Sequence, residues 1–544
     1  MSIFSKIGLK RPGTSTFNMS YDRKFSMNFG DLVPIHVQEV IPGDTISVNP
    51  QHMTRLAPML APVMHEVNCF IHYFFVPNRL LWDNWEPFIT GGRTGLKEKL
   101  MPVVKNLPVP TSSLGDYLGL PVTDGDFAVG TNGVLENPVS LLPFLAYQKI
   151  WDEYYRDQNL WPSIFLNDDD EPRNLFQDGD NDYGSVAIQE LCRLRQRAWH
   201  HDYFTSALPW AQKGAAVKIP ITGNVVYDHE GDTFVKRPNG DPAIGDGNPM
   251  NGMEIGGYQS GEPSHTYMNN GNASFDKVNI DNSSNLRVEN ADGTISDLRR
   301  AISLQKWLEK NARAGTRYVE NIFAHFGEKN PDYRLQRPEF LGGNKTPIMI
   351  SEVLQQSSTD ATSPQGNMSG HGIAIGKSGG FKRHFTEHGY IIGLMSTIPK
   401  TSYSQGIPKH FSKFDKFDYF WSEFEHIGEQ EIKNKEIFAK SVQVGSDHYD
   451  SEGVFGYTPR YSEYKYFPST VHGDFKNTLA FWHLGRIFDP LHPPKLNPEF
   501  ILCRKEALQR IFAVTDNTDK FWVHLYQDIK ARRKMSYFGD PGRI

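Results

Sequence analysis

Four short stretches of this 544-residue chain combine residue types that phosphate binding, metal binding or acid–base chemistry requires. Residues 372–378 read Gly-Ile-Ala-Ile-Gly-Lys-Ser, and residues 384–388 read His-Phe-Thr-Glu-His. Residues 200–202 are His-His-Asp, and residues 168–171 are three aspartates followed by a glutamate. Each chemistry also needs a particular backbone, so the flanking sequence decides whether a site can form.

The glycine-containing stretch at 372–378 does not fit a phosphate-binding loop. Such a loop needs a glycine five positions before Gly376, where this chain has His371. It also follows a buried strand, whereas the segment before residue 372 is polar. The sequence therefore predicts no nucleotide site at this position.

The stretch at 384–388 matches a zinc-peptidase pattern only if it is helical, because positions i and i+4 of a helix share one face. Gly389 and an apolar run follow at once, which predicts a strand. In a strand, His384 and His388 would lie ~13 Å apart at ~3.3 Å per residue. That is too far to share one zinc ion through bonds of ~2.1 Å, so we expect surface or packing histidines.

The other two stretches are interpreted without a ligand. His200, His201 and Asp202 are predicted to end a helix, where positive charge favours the helix dipole, and the acidic run at 168–171 is predicted to be a solvated loop. The three cysteines lie far apart, which favours a reducing cytosol over a disulfide framework. We expect no catalytic residue, no metal site, no cofactor, no membrane span and no secretory signal, so the chain is not expected to be an enzyme.

Alternating and continuous apolar patterns predict a mainly β structure. Residues 25–29 alternate between apolar and polar, and residues 32–40 and 45–48 flank a Pro-Gly-Asp turn. Residues 65–76 are apolar on nearly both faces, which predicts a strand buried on both, and residues 389–395 predict another buried strand. Scattered strands without regular β–α alternation favour an antiparallel sandwich over a parallel α/β enzyme fold.

Three helices are predicted between the strands from apolar positions at helical spacing. The stripes lie at 147–155, 188–199 and 298–312, and Gly315 is expected to end the third helix. Stripes of this kind usually face a core, so we expect all three to be buried.

Residues 228–297 differ from the rest of the chain. They hold ten glycines, many Asn, Asp, Ser and Pro residues, and few large apolar residues. So long a stretch without clear elements is predicted to be either an exposed functional loop or a disordered one.

Charge is distributed unevenly along the chain, whose formal net charge is −6. Residues 1–30 carry a net charge of +4 and residues 528–544 one of +3, which leaves −13 for the middle. One interpretation is that both ends are simply solvated. The other is that both basic ends contact a polyanion.

Three longer stretches carry a family resemblance. The first spans residues 29–82, from Phe-Gly-Asp-Leu-Val-Pro to Asn-Arg-Leu-Leu-Trp. The second is Asp-Tyr-Phe-Thr-Ser-Ala-Leu-Pro-Trp-Ala-Gln-Lys-Gly at 202–214, and the third is Gly-Tyr-Thr-Pro-Arg-Tyr-Ser-Glu-Tyr-Lys at 456–465. In this order, around a polar insertion, they resemble the major capsid protein of the Microviridae, in particular the gokushoviruses, which are small tailless bacteriophages. Family members commonly have proline where this chain has Ala211, a difference that bears only on local turn geometry.

The resemblance implies a mainly β fold: an eight-stranded antiparallel jelly roll with long inter-strand insertions that contain a few helices. It implies a structural virion protein that forms pentamers and a sixty-copy T=1 icosahedral shell around circular single-stranded DNA. Assembly would take place in the bacterial host cytoplasm, with minor virion proteins as further partners and no membrane. The implied divisions of the chain are an interior-facing basic arm (1–30), a first part of the jelly roll (31–227), a three-fold surface protrusion (228–297), the rest of the jelly roll with interface loops (298–527) and a basic tail (528–544).

Two sets of contact residues follow from this resemblance. The protrusion would meet a host-cell surface receptor, and the candidate residues are Asn239, Asn248, Tyr258, Tyr267 and Asn270. Single-stranded nucleic acid binds basic grooves with aromatic platforms. The candidates for the genome contact are Lys6, Lys10, Arg11, Lys530, Arg532, Arg533 and Lys534, with Tyr537 and Phe538 as stacking partners.

Two other kinds of β protein remain open on the sequence alone. A carbohydrate-binding or hydrolytic β-sandwich would need a cleft, with paired carboxylates for hydrolysis. A receptor-binding spike would suit the polar insertion, but the fibrous repeats typical of spikes do not occur here. Size-exclusion chromatography separates these cases, because a coat protein should form pentamers or shells and a lectin or hydrolase should stay small.

Overall fold

The computed structural model describes most of the chain. The described residues are 13–218 and 294–538, apart from gaps at 94–98, 131, 168–170, 174–179, 184, 355, 357–365, 367, 378, 445–446, 515 and 517; between 219 and 293 only the backbones of short strands are described.

Two antiparallel sheets form the centre of the fold. Their eight principal strands are β1 (Tyr21–Met27), β2 (Val33–Val40), β3 (Thr45–Leu56), β4 (Val67–Pro77), β5 (Glu339–Pro347), β6 (Met368–Lys377), β7 (Gly389–Pro399) and β8 (Phe521–Arg533). The first sheet has the order β1–β8–β3–β6, and the second has the order β2–β7–β4–β5. This confirms the predicted antiparallel sandwich, and the strand order is that of a jelly roll.

Three further strands extend the first sheet. Ser15–Asn18 pairs with the end of β8, Met349–Leu354 pairs with β6, and Phe381–His384 pairs with β3. Residues 15–18 and 21–27, which lie within the predicted basic arm 1–30, therefore belong to the sheet.

The main core lies between the two sheets. Ile46 and Leu525 of the first sheet and Ile71 and Ile391 of the second are buried there. Hydrophobic burial of this kind supplies most of the favourable free energy of folding. Strand β4 is buried on both faces, as its continuous apolar pattern predicted.

Long insertions between strands carry the helices. One insertion joins β4 to β5, and another joins β7 to β8. The helices of the described residues are α1 (Trp85–Thr90), α2 (Leu114–Leu118), α3 (Leu142–Tyr154), α4 (Val186–Leu191), α5 (Ile295–Ala314), α6 (Tyr318–Phe326), α7 (Asn434–Ile437) and α8 (Pro498–Ile501). The remaining short strands of the insertions are Val103–Lys105, Val139–Ser140, Asp180–Asp182, Glu429–Lys433, Val442–Val444, Asp447–Tyr449 and Val454–Pro459.

The first predicted helix is confirmed by α3, whose apolar face packs on the outer face of the second sheet. Phe74 and Leu394 of that sheet lie in one buried cluster with Tyr147 and Trp151 of α3. The Tyr147 hydroxyl donates a hydrogen bond to the Leu32 carbonyl oxygen at 2.9 Å. The second sheet is therefore covered on both faces.

The second predicted helix, at 188–199, is wrong beyond its first turns, because α4 ends at Leu191. The following segment is extended and pairs with other parts of the chain. The Arg197 amide donates to the Gly30 carbonyl, and the Trp199 amide donates to the Ile501 carbonyl. Residues 200–202 therefore do not end a helix.

The third predicted helix exists as α5, and Gly315 follows its last residue with a φ of +96°, a conformation that favours glycine. Its predicted burial is wrong. Of the apolar residues in its stripe, Leu298 and Ile302 are 42% and 47% exposed, and Ala312 is buried. The apolar spacing predicted the helix but not what covers it.

Residues Gly214–Leu308 form a compact unit of their own, and the rest of the chain forms another. Within the smaller unit, three antiparallel strand pairs are nested: Asn224–Tyr227 with Leu286–Glu289, Phe234–Lys236 with Asn279–Asp281, and Ile255–Gly256 with Tyr267–Met268. The 228–297 stretch therefore contains short strands that its polar composition did not reveal. The candidate surface residues Asn239, Asn248, Tyr258 and Asn270 lie outside the described residues, and Tyr267 is described only by its backbone pairing with Gly256.

Candidate nucleic-acid interface

The outer face of the first sheet is open along β8. Residues of this strand alternate strictly between buried and accessible, because successive side chains of a strand point to opposite faces. The odd-numbered residues from 521 to 531 face the core. The even-numbered residues from 522 to 532 face outward, and all but Asp528 are exposed.

Six basic side chains share this outer face. The strand register places Lys24 opposite His524, Arg55 opposite Trp522, and Lys377 opposite Gln51. Ser47 of β3 pairs with Lys530 of β8 on one side and with Lys382 of the strand Phe381–His384 on the other. Arg532 lies two residues beyond Lys530 on β8. The six cations are therefore spread over neighbouring strands of one face, with His524, Trp522, Gln51 and Ser47 among their direct cross-strand neighbours.

Little negative charge offsets these cations. Asp22 lies 3.3 Å from His524, and the Asp528 carboxylate accepts a hydrogen bond from the Ser20 hydroxyl at 3.3 Å. Among the described residues, none of the six basic side chains forms a salt bridge on this face. The face therefore presents cations that remain available to an anionic partner.

Two aromatic rings lie on the same face as the cations. Trp522 is 50% exposed and Tyr526 is 38% exposed, four residues apart on β8. Aromatic rings beside cations are the combination that binds single-stranded nucleic acid, because bases stack on the rings while the cations hold phosphates. Neither residue was predicted from the sequence, although the apolar alternation from Phe521 to Ala531 is a signal that could have indicated them.

The residues predicted from the basic tail do not all lie together. Lys530 and Arg532 project from the open face, and Lys534 is exposed just after β8. Arg533 points elsewhere: its Nε lies 3.3 Å from the buried Asp44 carboxylate, and its Nη2 donates to the Glu39 carbonyl at 3.0 Å. These contacts give Arg533 a role within the fold.

The predicted stacking residues Tyr537 and Phe538 are exposed but lie away from Lys530 and Arg532. The Tyr537 ring stacks on Phe17, with ring centroids 5.7 Å apart, and Phe538 contacts Tyr537. Phe17 pairs with Ala531, whose side chain faces the core, so this aromatic group lies on the opposite side of the strand. The remaining candidates Lys6, Lys10 and Arg11 lie outside the described residues.

The two basic ends of the chain leave the sheet together. Ser15 pairs with Arg533 in an antiparallel register, so the segment before Ser15 and the segment after Arg533 start from the same end of the first sheet. That end adjoins Arg532 and Lys530. Local sequence pattern does not predict this convergence, because the two segments are more than 500 residues apart.

The stretches with possible chemistry have other roles in the fold. Residues 372–377 lie within β6 rather than in a loop before a helix. His384 contacts the Thr45 hydroxyl, whereas the His388 ring packs against Trp85, so the two histidines have different neighbours. The described residues contain no cluster of three or more His, Cys, Asp or Glu side chains suited to a metal ion.

Asp202 is a buried carboxylate that organises the second resemblance stretch. One of its oxygens accepts hydrogen bonds from the amides of Phe204 and Thr205, and the other accepts from the hydroxyls of Thr401 and Tyr403 at 2.6 and 2.8 Å. These four bonds satisfy the buried charge. The acidic residues 168–170 lie outside the described residues.

The fold and the open face define the chain as a jelly-roll β protein whose first sheet presents a basic, aromatic surface. A sequence model of the phage family "Capsid protein (F protein)" matches residues 5–543. The chain therefore belongs to this capsid protein family. Within the described residues, no helix is both long enough and apolar enough to cross a membrane.

Individual relatives agree with the family match. The chain is 35% identical to capsid protein VP1 of Chlamydia phage 1, covering 99% of this chain and 97% of the relative. It is also 35% identical to capsid protein VP1 of Bdellovibrio phage phiMH2K, with the same coverage, and 30% identical to capsid protein VP1 of Spiroplasma virus 4, covering 95% and 93%. All three relatives are named capsid protein VP1, and the predicted resemblance to the Microviridae is confirmed.

Proposed function

We propose that sixty copies of this chain form a T=1 icosahedral shell around circular single-stranded DNA, with the open face of the first sheet turned toward the genome. Assembly would take place in the cytoplasm of a bacterial host, with minor virion proteins joining the shell. The observation that carries the proposal is the open face itself, where six basic side chains that form no salt bridge with any described residue lie beside Trp522 and Tyr526.

The convergence of the two chain ends supports the same orientation. A shell that encloses DNA needs positive charge on its inner surface, while the middle of this chain carries net negative charge. The basic segments before Ser15 and after Arg533 leave the sheet beside Lys530 and Arg532. One inward-facing region would therefore hold most of the concentrated positive charge of the subunit.

Electron microscopy of the expressed chain tests the shell, and DNA content tests the orientation. Icosahedral particles of uniform size are expected from the unaltered protein. Particles of the double variant Lys530→Ala with Arg532→Ala should form but contain less DNA, because two phosphate contacts per subunit are lost. The matched control is Lys440→Ala, which removes an exposed lysine that lies outside the first sheet. Equal DNA content in the double variant and the wild type would contradict the assigned face.

Binding measurements on the purified chain give a second test of the same assignment. The logarithm of single-strand affinity falls with the logarithm of salt concentration, with a slope of about −0.7 per neutralised phosphate. The double variant should therefore flatten that slope by about 1.4 if both residues contact phosphates. An unchanged slope would show that Lys530 and Arg532 do not contact phosphates.

We also propose that the unit Gly214–Leu308 projects from the shell as a protrusion that contacts the host-cell surface. The supporting observation is that this polar segment forms a compact unit of nested strand pairs, separate from the unit that contains the jelly roll. Replacing residues 228–297 with a short Gly-Ser linker should leave particles intact and abolish adsorption to host cells. Loss of particle assembly in that variant would instead assign the unit a role in the shell.

A further inference from the structure

The insertion between β7 and β8 presents a group of exposed aromatic rings. We call residues 409–427 together with 461–467 the aromatic strap. Its rings that are about half exposed or more include Phe411, Phe414, Phe417, Phe420, Trp421 and Phe467. Phe414 and Phe467 are each 85% exposed, so they have almost no neighbours within the subunit.

A buried ion pair holds the two parts of the strap together. The Lys413 ammonium lies 3.2 Å from the Glu463 carboxylate, with only 5% and 12% of these side chains exposed. The same ammonium lies over the Tyr464 ring at 3.8 Å from its centroid. Cations over aromatic rings are attracted by the negative ring face, so Lys413 ties both segments together.

Hydrogen bonds also fix the backbone of the strap. The Asp418 carboxylate accepts from the amides of Phe414 and Asp415, both at 2.9 Å. The Trp421 indole donates to the Lys416 carbonyl at 2.8 Å. The backbone between Phe414 and Trp421 is therefore fixed within the subunit, which lowers the conformational entropy lost if a partner covers the rings it carries.

The exposed apolar area is large enough for a protein interface. The exposed fractions of the six rings amount to roughly four complete side chains, or about 750 Å² at ~200 Å² per aromatic side chain. A standard interface buries ~800 Å² per partner, which is close to the area that the six rings together expose. Charged pairs such as Lys465 with Glu425, at 3.2 Å, border the rings as a polar rim does in an interface.

We propose that the aromatic strap is a contact between copies of this chain in the assembled shell. This inference rests on the proposed function, because a shell subunit must bury surface against several neighbours. The partner is a second copy because the chain belongs to a capsid family and because the exposed area matches what one subunit contributes to a stable interface. Phe414 and Phe467 would enter pockets of the neighbouring copy as its central aromatic anchors.

Photo-crosslinking tests which molecule covers the strap. Benzoylphenylalanine in place of Phe414 should, on irradiation of particles, give a covalent dimer of this chain that mass spectrometry identifies. The same substituted protein, irradiated as unassembled subunits, should give no dimer. Crosslinks in particles that lead only to another virion protein, or no crosslink at all, would overturn the inference.

A substitution pair tests whether the strap is needed for assembly. The double variant Phe414→Ser with Phe467→Ser should fold with the same thermal midpoint as the wild type, because neither ring is buried, but it should give at least tenfold fewer particles. The control Phe127→Ser removes a ring that is 89% exposed and lies outside the strap, and it should assemble normally. Equal particle yields for the double variant and wild type, or equal losses for the double variant and control, would contradict the inference.

The two proposals fail in different ways. If the unaltered chain forms no particles, the proposed shell is wrong and the inference falls with it. If the unaltered chain and the strap variant form particles equally well, only the inference is wrong, even if the variant particles no longer infect cells. That last result would show that the strap contacts a host or another virion protein.

Discussion

The outer faces of the two sheets differ in what lies on them. The outer face of the second sheet carries Phe74 and Leu394 under helix α3, all within one buried cluster. The outer face of the first sheet carries Trp522, Tyr526 and a field of basic side chains, and they are accessible in the subunit. One jelly roll thus has one face closed by its own insertion and one face left open.

The difference follows from composition along the strands. A sheet face of aromatic and aliphatic side chains gains about 25 cal/mol per Å² when it is covered, so an insertion that packs on it stabilises the fold. A face of lysine and arginine side chains would lose hydration if it were covered without partners, so it remains open unless an anionic ligand supplies them. The contrast therefore separates a face that serves stability from a face that is available for binding.

The largest expected effect comes from removing one aromatic ring from each outer face. Phe74→Ala should lower the free energy of unfolding by about 3–5 kcal/mol, because Phe74 is buried against Tyr154 and Phe340. Trp522→Ala should cost less than ~1 kcal/mol, because half of that side chain is already exposed. Denaturant unfolding of the purified chain measures both. Equal losses of unfolding free energy would mean that the two outer faces contribute equally to the stability of the fold.

The pH dependence of stability sharpens the comparison on the covered side. Burial, with a smaller contribution from the nearby Arg197 charge, lowers the pKa of His72 to about 4. The unfolded chain keeps a histidine pKa of ~6.5, so it binds a proton that the folded chain does not as the pH falls from 6.5 to 4. Stability is therefore lost on acidification through this range, by at most about 3 kcal/mol from this residue.

The variant His72→Gln removes that titration. Its free energy of unfolding should fall less steeply than that of the wild type between pH 6.5 and pH 4, when both are measured in denaturant at each pH. His36 and His52, whose pKa values burial also lowers to about 4, leave part of the slope in place. A variant with the wild-type slope would show that His72 is protonated equally in both states.

Arg533 separates a structural cation from the cations of the open face. Arg533→Ala should lower the free energy of unfolding by about 1–3 kcal/mol, because it leaves the buried Asp44 carboxylate without its cationic partner. It should leave the salt dependence of single-strand binding unchanged. Lys530→Ala should do the reverse, with unchanged stability and a slope reduced by about 0.7. If both variants changed stability and salt slope in the same way, Arg533 and Lys530 would not differ in role.

One further expected effect is specific to base stacking on the open face. Trp522→Ala should weaken binding of a single-stranded oligonucleotide by about 1–3 kcal/mol, the amount that one stacked base contributes. Its salt slope should stay at the wild-type value, because no cation is removed. A fluorescence titration at several salt concentrations measures both quantities, and a change in slope alone would argue against stacking.

The strands and the closed face could be predicted from the sequence to a large extent. The continuous apolar run at 65–76 predicted a strand buried on both faces, and β4 is such a strand. The stripe at 147–155 predicted α3, which is the helix that covers the second sheet. Local periodicity succeeds here because both properties depend on neighbouring residues alone.

The open face could be predicted only in part. The basic tail was recognised, and Lys530 and Arg532 lie on this face, but Lys24, Arg55 and Lys377 come from strands far away in sequence. Arg533 is the same residue type as Arg532 and follows it directly in the sequence, yet the alternation of side chains along β8 turns Arg533 toward Asp44. Whether a basic residue faces solvent or a buried carboxylate depends on register, which one-dimensional charge counts do not contain.

Helix α5 shows that the exposure of an apolar face also cannot be predicted from local sequence. Its apolar spacing from Leu298 to Ala312 was sufficient to predict a helix, but no described element of the subunit buries Leu298 or Ile302. An apolar stripe predicts that one face of a helix can be buried, but it does not identify the element that buries it.

The sequence by itself determined the capsid family, the mainly β class, the buried strands and the excess of positive charge at both ends, because these depend on local pattern and composition. The tertiary structure decided which cations share a surface, that Arg533 forms an ion pair within the fold, and which aromatic rings remain exposed. Those outcomes depend on strand register and on contacts between segments hundreds of residues apart, where the pairing free energy is set by the whole sheet and not by any one segment.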